Sequence, residues 1–291
     1  MLVSQLITDT NAAYRGEETE PAVGTTEYLY WLSVANRLKN QWARDPKQKW
    51  TSLFFKTIDE PGTVATSGTT TLTGTGTNFT DYRVGDKINV NGETVRTIDT
   101  ITSDTVLDVT VAFTNTVTSE TFKRSIIISA AVQEYNLNRS LFIPSDKAIV
   151  TDTNSQPIDY TLVHPQDREY DNKHVYIYGN NPKVLTFQDT ISTSDQIVAG
   201  ELFVPGYYIP ADLVNSTDVI PVDDPNWLTM ALASELAFND VTYEDKYVDL
   251  NTKANALYMD MIKGNRQGTG QNPRIAGVHI PRIRGTGVGS Y

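Results

Sequence analysis

The sequence contains no cysteine and only three histidines, and both shortages restrict the chemistry open to the chain. Without cysteine it has no disulfide, no thiolate metal ligand and no cysteine nucleophile. His164, His174 and His279 lie far apart and form neither a His-x-x-x-His nor a Glu-x-x-His pair, the spacings typical of zinc and di-iron sites. We therefore predict neither a metal site nor a cofactor.

Long apolar runs are also missing. No segment approaches the roughly 18 to 20 unbroken apolar residues of a membrane helix, and residues 1–5 do not resemble the start of a signal peptide. A hydrophobic content of 39% over 291 residues is nevertheless enough to fill one large core or two modest ones. We expect a soluble globular protein that is not conventionally secreted and has no membrane partner.

Catalytic and phosphate-binding patterns are absent as well. The sequence has no Gly-x-Ser-x-Gly elbow. Gly74 to Thr77 leads into Asn78 and Phe79 rather than into a helix, which indicates a turn and not a phosphate loop. The acidic pairs at 223–224 and 244–245 fall at predicted helix starts, where capping explains them. We predict that the chain is not an enzyme.

Basic residues are outnumbered by acidic ones, and the net charge is −11. This balance argues against a protein that grips nucleic acid, because neutralising phosphates requires clustered Lys and Arg. Simple solubility is one explanation of the charge. Another is an acidic passage through which DNA moves without adsorbing, since like charges repel.

Helical patterns occur before residue 60 and again after residue 223. Thr25 or Thr26 can cap the clearest early helix, and Asp224 before Pro225 caps a later one. Thr242 and Asp245 resemble a capping box for the last helix, which we expect to end at Gly264. The two most regular apolar stripes contain Tyr28, Leu32, Ala35, Leu38 and Trp42, and Tyr243, Tyr247, Leu250, Ala254, Leu257 and Met261.

Between Gly62 and Thr121 about one residue in three is Thr, and β-branched residues alternate with polar ones. Asn91-Gly92 has the composition of a type I′ hairpin turn. We predict an inserted β-domain at 61–121, although low-complexity disorder is the alternative. Strand patterns continue from Phe122 to Val204 and predict a second antiparallel sheet.

The predicted fold class is α+β: a helical bundle of N- and C-terminal helices with an antiparallel β-sheet, plus an inserted small all-β barrel or sandwich domain. The core would comprise residues 1–60 and 122–264. Residues 265–291 are glycine-rich and basic without any acidic residue, which is typical of an extended arm docking on an acidic partner or of a solvated terminus.

The order of these elements resembles the head-to-tail connector, or adaptor, proteins of tailed phages. The resemblance covers most of the chain outside the Thr-rich insert, which is a departure from the family. It is a pattern of elements rather than a fixed signature. The matching stretches are Leu141 to Asp146, Val175 to Asn180, Val219 to Pro221 leading to Trp227 to Leu236, and Tyr247 to Met261.

The resemblance implies a dodecameric homo-oligomeric ring in the virion, at the junction of head and tail, assembled in the host cytoplasm. Its partners would be the portal protein and a tail or neck protein, with DNA passing through the lumen during ejection without specific binding. The implied portal-binding arm contains Arg266, Arg274, Ile275, Ile280, Arg282, Ile283 and Arg284. The implied subunit-packing residues are Tyr28, Leu32, Trp42, Trp227, Tyr243, Tyr247, Leu250, Leu257 and Met261.

An alternative function is a receptor- or glycan-binding particle protein that uses the inserted β-domain. Glycan sites commonly present exposed aromatic rings, and Phe79 and Tyr82 are nearly the only aromatic residues in the heart of the insert. The identity of the tail-side partner and the orientation of the insert are not encoded in any recognisable motif.

Overall fold

A computed structural model of the chain describes residues 1–16, 19–45, 47–164, 166 and 173–268. Two α-helices lie near the start of this part of the chain and two near its end. They are α1 (Val3–Tyr14), α2 (Thr26–Ala43), α3 (Pro225–Phe238) and α4 (Tyr247–Gly268). None of the helices within these ranges is long and apolar enough to cross a membrane.

Sixteen β-strands occupy the described chain between α2 and α3. The first eight are β1 (Phe54–Phe55), β2 (Thr63–Ser67), β3 (Thr71–Thr75), β4 (Lys87–Val90), β5 (Arg96–Ser103), β6 (Val106–Val109), β7 (Thr116–Glu120) and β8 (Phe122–Ile127). The others are β9 (Glu134–Asn136), β10 (Leu141–Pro144), β11 (Lys147–Thr151), β12 (Pro157–Leu162), β13 (His174–Tyr178), β14 (Val184–Phe187), β15 (Glu201–Phe203) and β16 (Gly206–Tyr208).

These strands form one sheet of thirteen and one of three. The large sheet has the order β7-β2-β3-β6-β5-β4-β8-β15-β11-β12-β13-β14-β9, and the small sheet is β1-β16-β10. Neighbouring strands are antiparallel, as expected, except β12 and β13, which run parallel with Thr161 opposite His174.

The predicted fold class is wrong, because the chain is mostly β rather than a helical bundle carrying a sheet. The Thr-rich strands also form no separate barrel. They continue into the rest of the sheet through β4 and β8, where Lys87 lies opposite Ser125, and through β8 and β15, where Ile127 lies opposite Glu201. Alternating patterns reveal strands but not their partners, so the sequence did not indicate this continuity.

Three hydrophobic clusters fill the interior of the described part of the chain. The helical cluster contains all four tryptophans, together with buried side chains from α1 to α4. A central cluster lies under β8 to β15 and includes Tyr135, Val175 and Phe187. A third cluster belongs to the Thr-rich strands and is built around Phe79 and Phe122. The chain thus shares one large sheet between two cores and adds a helical core beside it.

Local capping signals explain the starts of α2 and α3 but not the start of α4. The Thr25 hydroxyl accepts a hydrogen bond from the Tyr28 amide at 3.2 Å, and the Asp224 carboxylate accepts one from Asn226 at 2.9 Å. Helix α4 begins only at Tyr247, after a 3₁₀ turn over Glu244–Lys246, and continues to Gly268. The predicted capping box at Thr242 and the predicted end at Gly264 are therefore wrong.

Candidate functional site

The residues predicted to pack between subunits lie together in the helical cluster of the chain itself. Six are buried there, and Tyr243, Tyr247 and Leu257 pack against the cluster while partly buried. The buried six are Tyr28, Leu32, Trp42, Trp227, Leu250 and Met261. Their burial places them in the chain's own core, although two of them, Trp42 and Trp227, also line an open groove.

Lys39 fixes α2 to the segment that precedes α3. Its side chain is fully buried, and its ammonium donates to the carbonyls of Pro210 and Ala211 and to Asp212 Oδ1 at 3.2 Å. Burial lowers the pKa of Lys39 from its ordinary value, and the Asp212 carboxylate opposes that shift. Because every bond leads back to the chain, this lysine is structural rather than catalytic.

A groove of about 730 Å³ opens on the helical cluster, where the C-terminal half of α2 faces α3 and α4. Its aromatic wall is formed by Trp227 and Tyr258, whose ring centres are 5.5 Å apart. The side chains that line it are Arg37, Asn40, Gln41, Trp42, Arg44, Asp45, Trp227, Asn255 and Tyr258.

The single carboxylate that lines the groove is already engaged by the chain. Asp45 accepts a hydrogen bond from the Tyr258 hydroxyl and another, at 2.8 Å, from the Lys47 amide. Burial, together with this contact, raises the pKa of Tyr258, which keeps the hydroxyl protonated as a donor. Arg37 is paired with Glu235 at 2.8 Å.

Other polar groups of the groove have no partner in the described chain. The exposed Arg44 guanidinium forms no ion pair there, and the Trp42 indole Nε1, in a side chain only 1% exposed, has no hydrogen-bond acceptor. The exposed amides of Gln41 and Asn255 add further donors. The groove therefore has surplus hydrogen-bond donors, and its lining carries two guanidinium groups against the one carboxylate of Asp45, although the chain as a whole is acidic.

A second exposed feature lies where α3 passes into α4, and we call residues 238–249 the knuckle. Phe238 is 60% exposed, Val241 90% and Val248 69%. Between them, the exposed carboxylates of Glu244 and Asp245 form no ion pair with any described residue. The knuckle thus combines apolar side chains with free negative charge, a composition common at protein interfaces.

The start of the knuckle is held firmly. The Tyr14 hydroxyl donates to Asp240 Oδ2 at 2.6 Å, and Lys246 donates to the carbonyl of Tyr14 at 3.0 Å. The hydrogen bond from Tyr14 is the main reason why the pKa of Asp240 lies below its ordinary value. Because α1 supports the turn in this way, the knuckle is presented as a fixed surface.

Charged groups buried between the Thr-rich strands and the central sheet form a different kind of cluster. Arg124 lies 3.3 Å from Glu60 and 3.8 Å from Asp86, and its guanidinium stacks 4.3 Å from the Tyr82 ring centre. Burial raises the pKa of both carboxyl groups, while Arg124 opposes the shift. Its guanidinium also donates to the Asn136 carbonyl at 2.7 Å, so the cluster joins β8 to β9.

The Thr-rich strands offer no aromatic surface. Phe79, Tyr82 and Phe113 are the only aromatic residues between positions 62 and 121, and all are buried.

Potential metal ligands do not cluster in the described ranges. No group of three or more His, Asp or Glu residues there could hold a metal ion.

The predicted portal-binding arm lies almost entirely outside the described residues. Arg266 falls in the last turns of α4, whereas Arg274, Ile275, Ile280, Arg282, Ile283 and Arg284 are beyond them. Asn265, at the predicted start of the arm, donates to the Lys49 carbonyl at 3.1 Å. Helix α4 is therefore held against the chain up to the point where the arm was predicted to begin.

Sequence reasoning did not single out the groove or the knuckle. Arg44, Gln41 and Asn255 occupy the polar sides of amphipathic helices, where charged and amide residues are ordinary. The one available signal was Val241 and Val248, apolar residues outside the stripe of the last helix. No protein-family model and no curated protein matches the chain.

Proposed function

We propose that the chain is a structural protein of a tailed-phage particle, a subunit of the connector ring that joins the portal to the tail. The observation that carries the proposal is the exposed surface of the helical cluster. Apolar side chains of the knuckle and unpaired donors of the groove lie on the same unit, and such surfaces become favourable when another polypeptide covers them.

In this function the protein acts mechanically. Copies associate through the helical clusters, a basic arm holds the ring to the portal, and DNA passes through the lumen. The net charge of −11 suits that passage, because an acidic wall repels phosphates and keeps DNA from adsorbing. The resemblance in the order of elements is the second support for the proposal.

The alternative, a glycan- or receptor-binding protein, lacks comparable support. Its binding module would be the Thr-rich strands, and their three aromatic residues are buried in their own core. Buried rings cannot stack on a sugar.

The direct test is the assembly state of the purified chain. We expect native mass spectrometry and negative-stain imaging to detect a closed, dodecameric ring, alone or on addition of the portal protein. Monomers alone under both conditions would contradict the proposal.

A second test removes the arm. Because Asn265 contacts the body of the protein, the deletion should begin after Gly268 and leave α4 intact. We expect the chain lacking residues 269–291 to fold and to lose attachment to the portal. Attachment that survives the deletion would assign portal binding to another surface.

A further inference from the structure

The groove requires a partner that accepts hydrogen bonds and carries negative charge. Arg44 is exposed and forms no ion pair with a described residue, and the exposed side chains of Gln41 and Asn255 offer amide donors. The rings of Trp227 and Tyr258 add an apolar wall. An acidic segment with exposed apolar side chains would meet each of these requirements.

The chain itself contains such a segment. The knuckle exposes Val241 and Val248 at 90% and 69% and carries the unpaired carboxylates of Glu244 and Asp245. Its backbone is fixed by Tyr14 and Lys246, so docking would order few additional residues. In sign and in polarity, the knuckle complements the groove.

The two surfaces cannot meet within one molecule. Trp227 of the groove lies in the first turn of α3 and Phe238 of the knuckle at its last residue, about 16 Å apart along the helix axis. Helix α3 contains no Gly, and its only Pro is its first residue. No kink is therefore expected that would bring its two ends together. The contact must therefore join two molecules.

We propose that the knuckle of one copy docks in the groove of a second copy of this chain. Glu244 and Asp245 face Arg44, while Val241 and Val248 cover the wall formed by Trp227 and Tyr258. Since the two surfaces differ, the contact is head-to-tail, and the pair keeps a free groove at one end and a free knuckle at the other. Repetition of the contact gives a closed ring where the rotation between copies permits closure and a filament where it does not. The inference rests on the proposed function, because it names the contact that would build the ring.

Charge reversal tests the contact in both directions. We expect R44E, and separately E244K with D245K, to weaken association about 100-fold, since like charges then face each other across the interface. The matched controls are K263E on the exposed side of α4 and D99K on β5, which lie outside both surfaces. Circular dichroism of each variant checks that it is folded.

Mixing the variants provides a stricter test. In an equimolar mixture of the R44E chain and the E244K/D245K chain, each groove meets a knuckle of opposite charge. We expect native mass spectrometry to detect assemblies in which the two chains alternate at a ratio of one to one. A single chain carrying all three changes should assemble as well.

The outcomes separate this contact from the proposed function. If the unaltered chain forms rings and neither charge reversal weakens them, the contact is overturned and the ring is built otherwise. If charge reversal abolishes association but the unaltered chain forms open filaments, the contact stands and the connector function fails. A chain that remains monomeric throughout overturns both.

Discussion

The helical cluster and the Thr-rich strands of this chain are filled with different side chains and present different surfaces. The helical cluster contains all four tryptophans and leaves the aromatic ring of Phe238 60% exposed. The core of the Thr-rich strands packs the rings around Phe79 against aliphatic side chains, and these strands expose several valines but no aromatic ring. The helical side therefore has the features of a binding surface.

Polar groups differ between the two regions in the same way. The Thr71 hydroxyl donates to Asp108 at 2.7 Å, and the Thr66 hydroxyl donates to the Asn115 carbonyl at 2.6 Å. In the helical cluster, buried groups such as Trp42 Nε1 and the Tyr28 hydroxyl have no partner in the described chain. The polar groups of the Thr-rich strands thus bond to each other, whereas buried groups without a partner leave part of their hydrogen-bonding capacity unused.

The largest expected effect concerns the cluster that joins the Thr-rich strands to the central sheet. R124M would leave Glu60 and Asp86 buried without a cation, at a cost of about 4 kcal/mol in the free energy of unfolding. Urea denaturation followed by circular dichroism measures this loss. K123M removes a neighbouring exposed lysine and should cost less than about 0.5 kcal/mol. Equal losses in the two variants would show that the buried cluster contributes little.

Phe79 tests whether the two regions unfold separately. Its ring is fully buried in the Thr-rich core, and F79A should cost about 3 kcal/mol through the cavity that it creates. Because all tryptophans lie in the helical cluster, tryptophan fluorescence follows that region alone. We expect F79A to lower the unfolding midpoint seen by circular dichroism more than the midpoint seen by fluorescence.

The matched variant for that comparison is W31F in the helical cluster. Trp31 is 2% exposed and packs edge-on against Tyr14 at 5.8 Å. W31F should shift the fluorescence midpoint more than the midpoint seen by circular dichroism. If both variants move both midpoints equally, the chain unfolds as a single cooperative unit. The two regions would then differ in composition but not in stability.

A smaller effect is expected at the cap of α2. T25A removes the acceptor of the Tyr28 amide and should cost about 1 kcal/mol. T26A, at the first helical residue, is the control and should change the free energy of unfolding by less than about 0.5 kcal/mol. Thermal unfolding of both variants measures the difference. An equal effect of the two substitutions would remove Thr25 as the cap.

The caps also show what the sequence could predict. Thr25 and the pair Asp224-Pro225 are local signals, and each was found at the start of its helix. The start of α4 was missed because the amide of Thr242 bonds to Asp240, which is itself held by Tyr14 from the other end of the chain. A contact between such distant residues has no signature in a short sequence window.

The strands also include features that the sequence could predict and features that it could not. Asn91-Gly92 does form a turn, with the Glu93 amide donating to the Val90 carbonyl at 3.0 Å. Gly92 has a positive φ of 80°, but Asn91 does not, so the predicted type I′ geometry is wrong. The pairing of β8 with β4 and β15, which makes the sheet continuous, depends on residues far apart in sequence.

For the candidate surfaces, the sequence indicated which residues are apolar but not what they contact. The stripe containing Trp42 and Tyr28 predicted burial correctly, and the cluster that buries it includes side chains of the chain's own α1 and α3. Arg44 carries no signal of its own, and the acidic pair that includes Glu244 was explained by helix capping. Their importance to the proposed contact comes from neighbours that only the folded chain brings together.

The smallest expected effect is a change in how steeply the free energy of unfolding depends on pH, and it arises from the buried cluster around Arg124. Burial raises the pKa of Glu60 and of Asp86 above their ordinary values of 4.5 and 3.8. Between the ordinary and the raised pKa, the folded chain holds a proton that the unfolded chain has released. This contribution to stability is therefore full below that window and is lost as pH rises through it.

E60Q removes one of the two groups, so the free energy of unfolding should fall less steeply from pH 4.5 upward than in the unaltered chain. Urea denaturation at a series of pH values gives the two slopes. D59N changes an adjacent exposed carboxyl group, paired with Lys123 at 3.9 Å, and should leave the slope unchanged. Parallel profiles for all three proteins would mean that Glu60 stays ionised beside Arg124, and the junction between the two regions would then be a permanent ion pair.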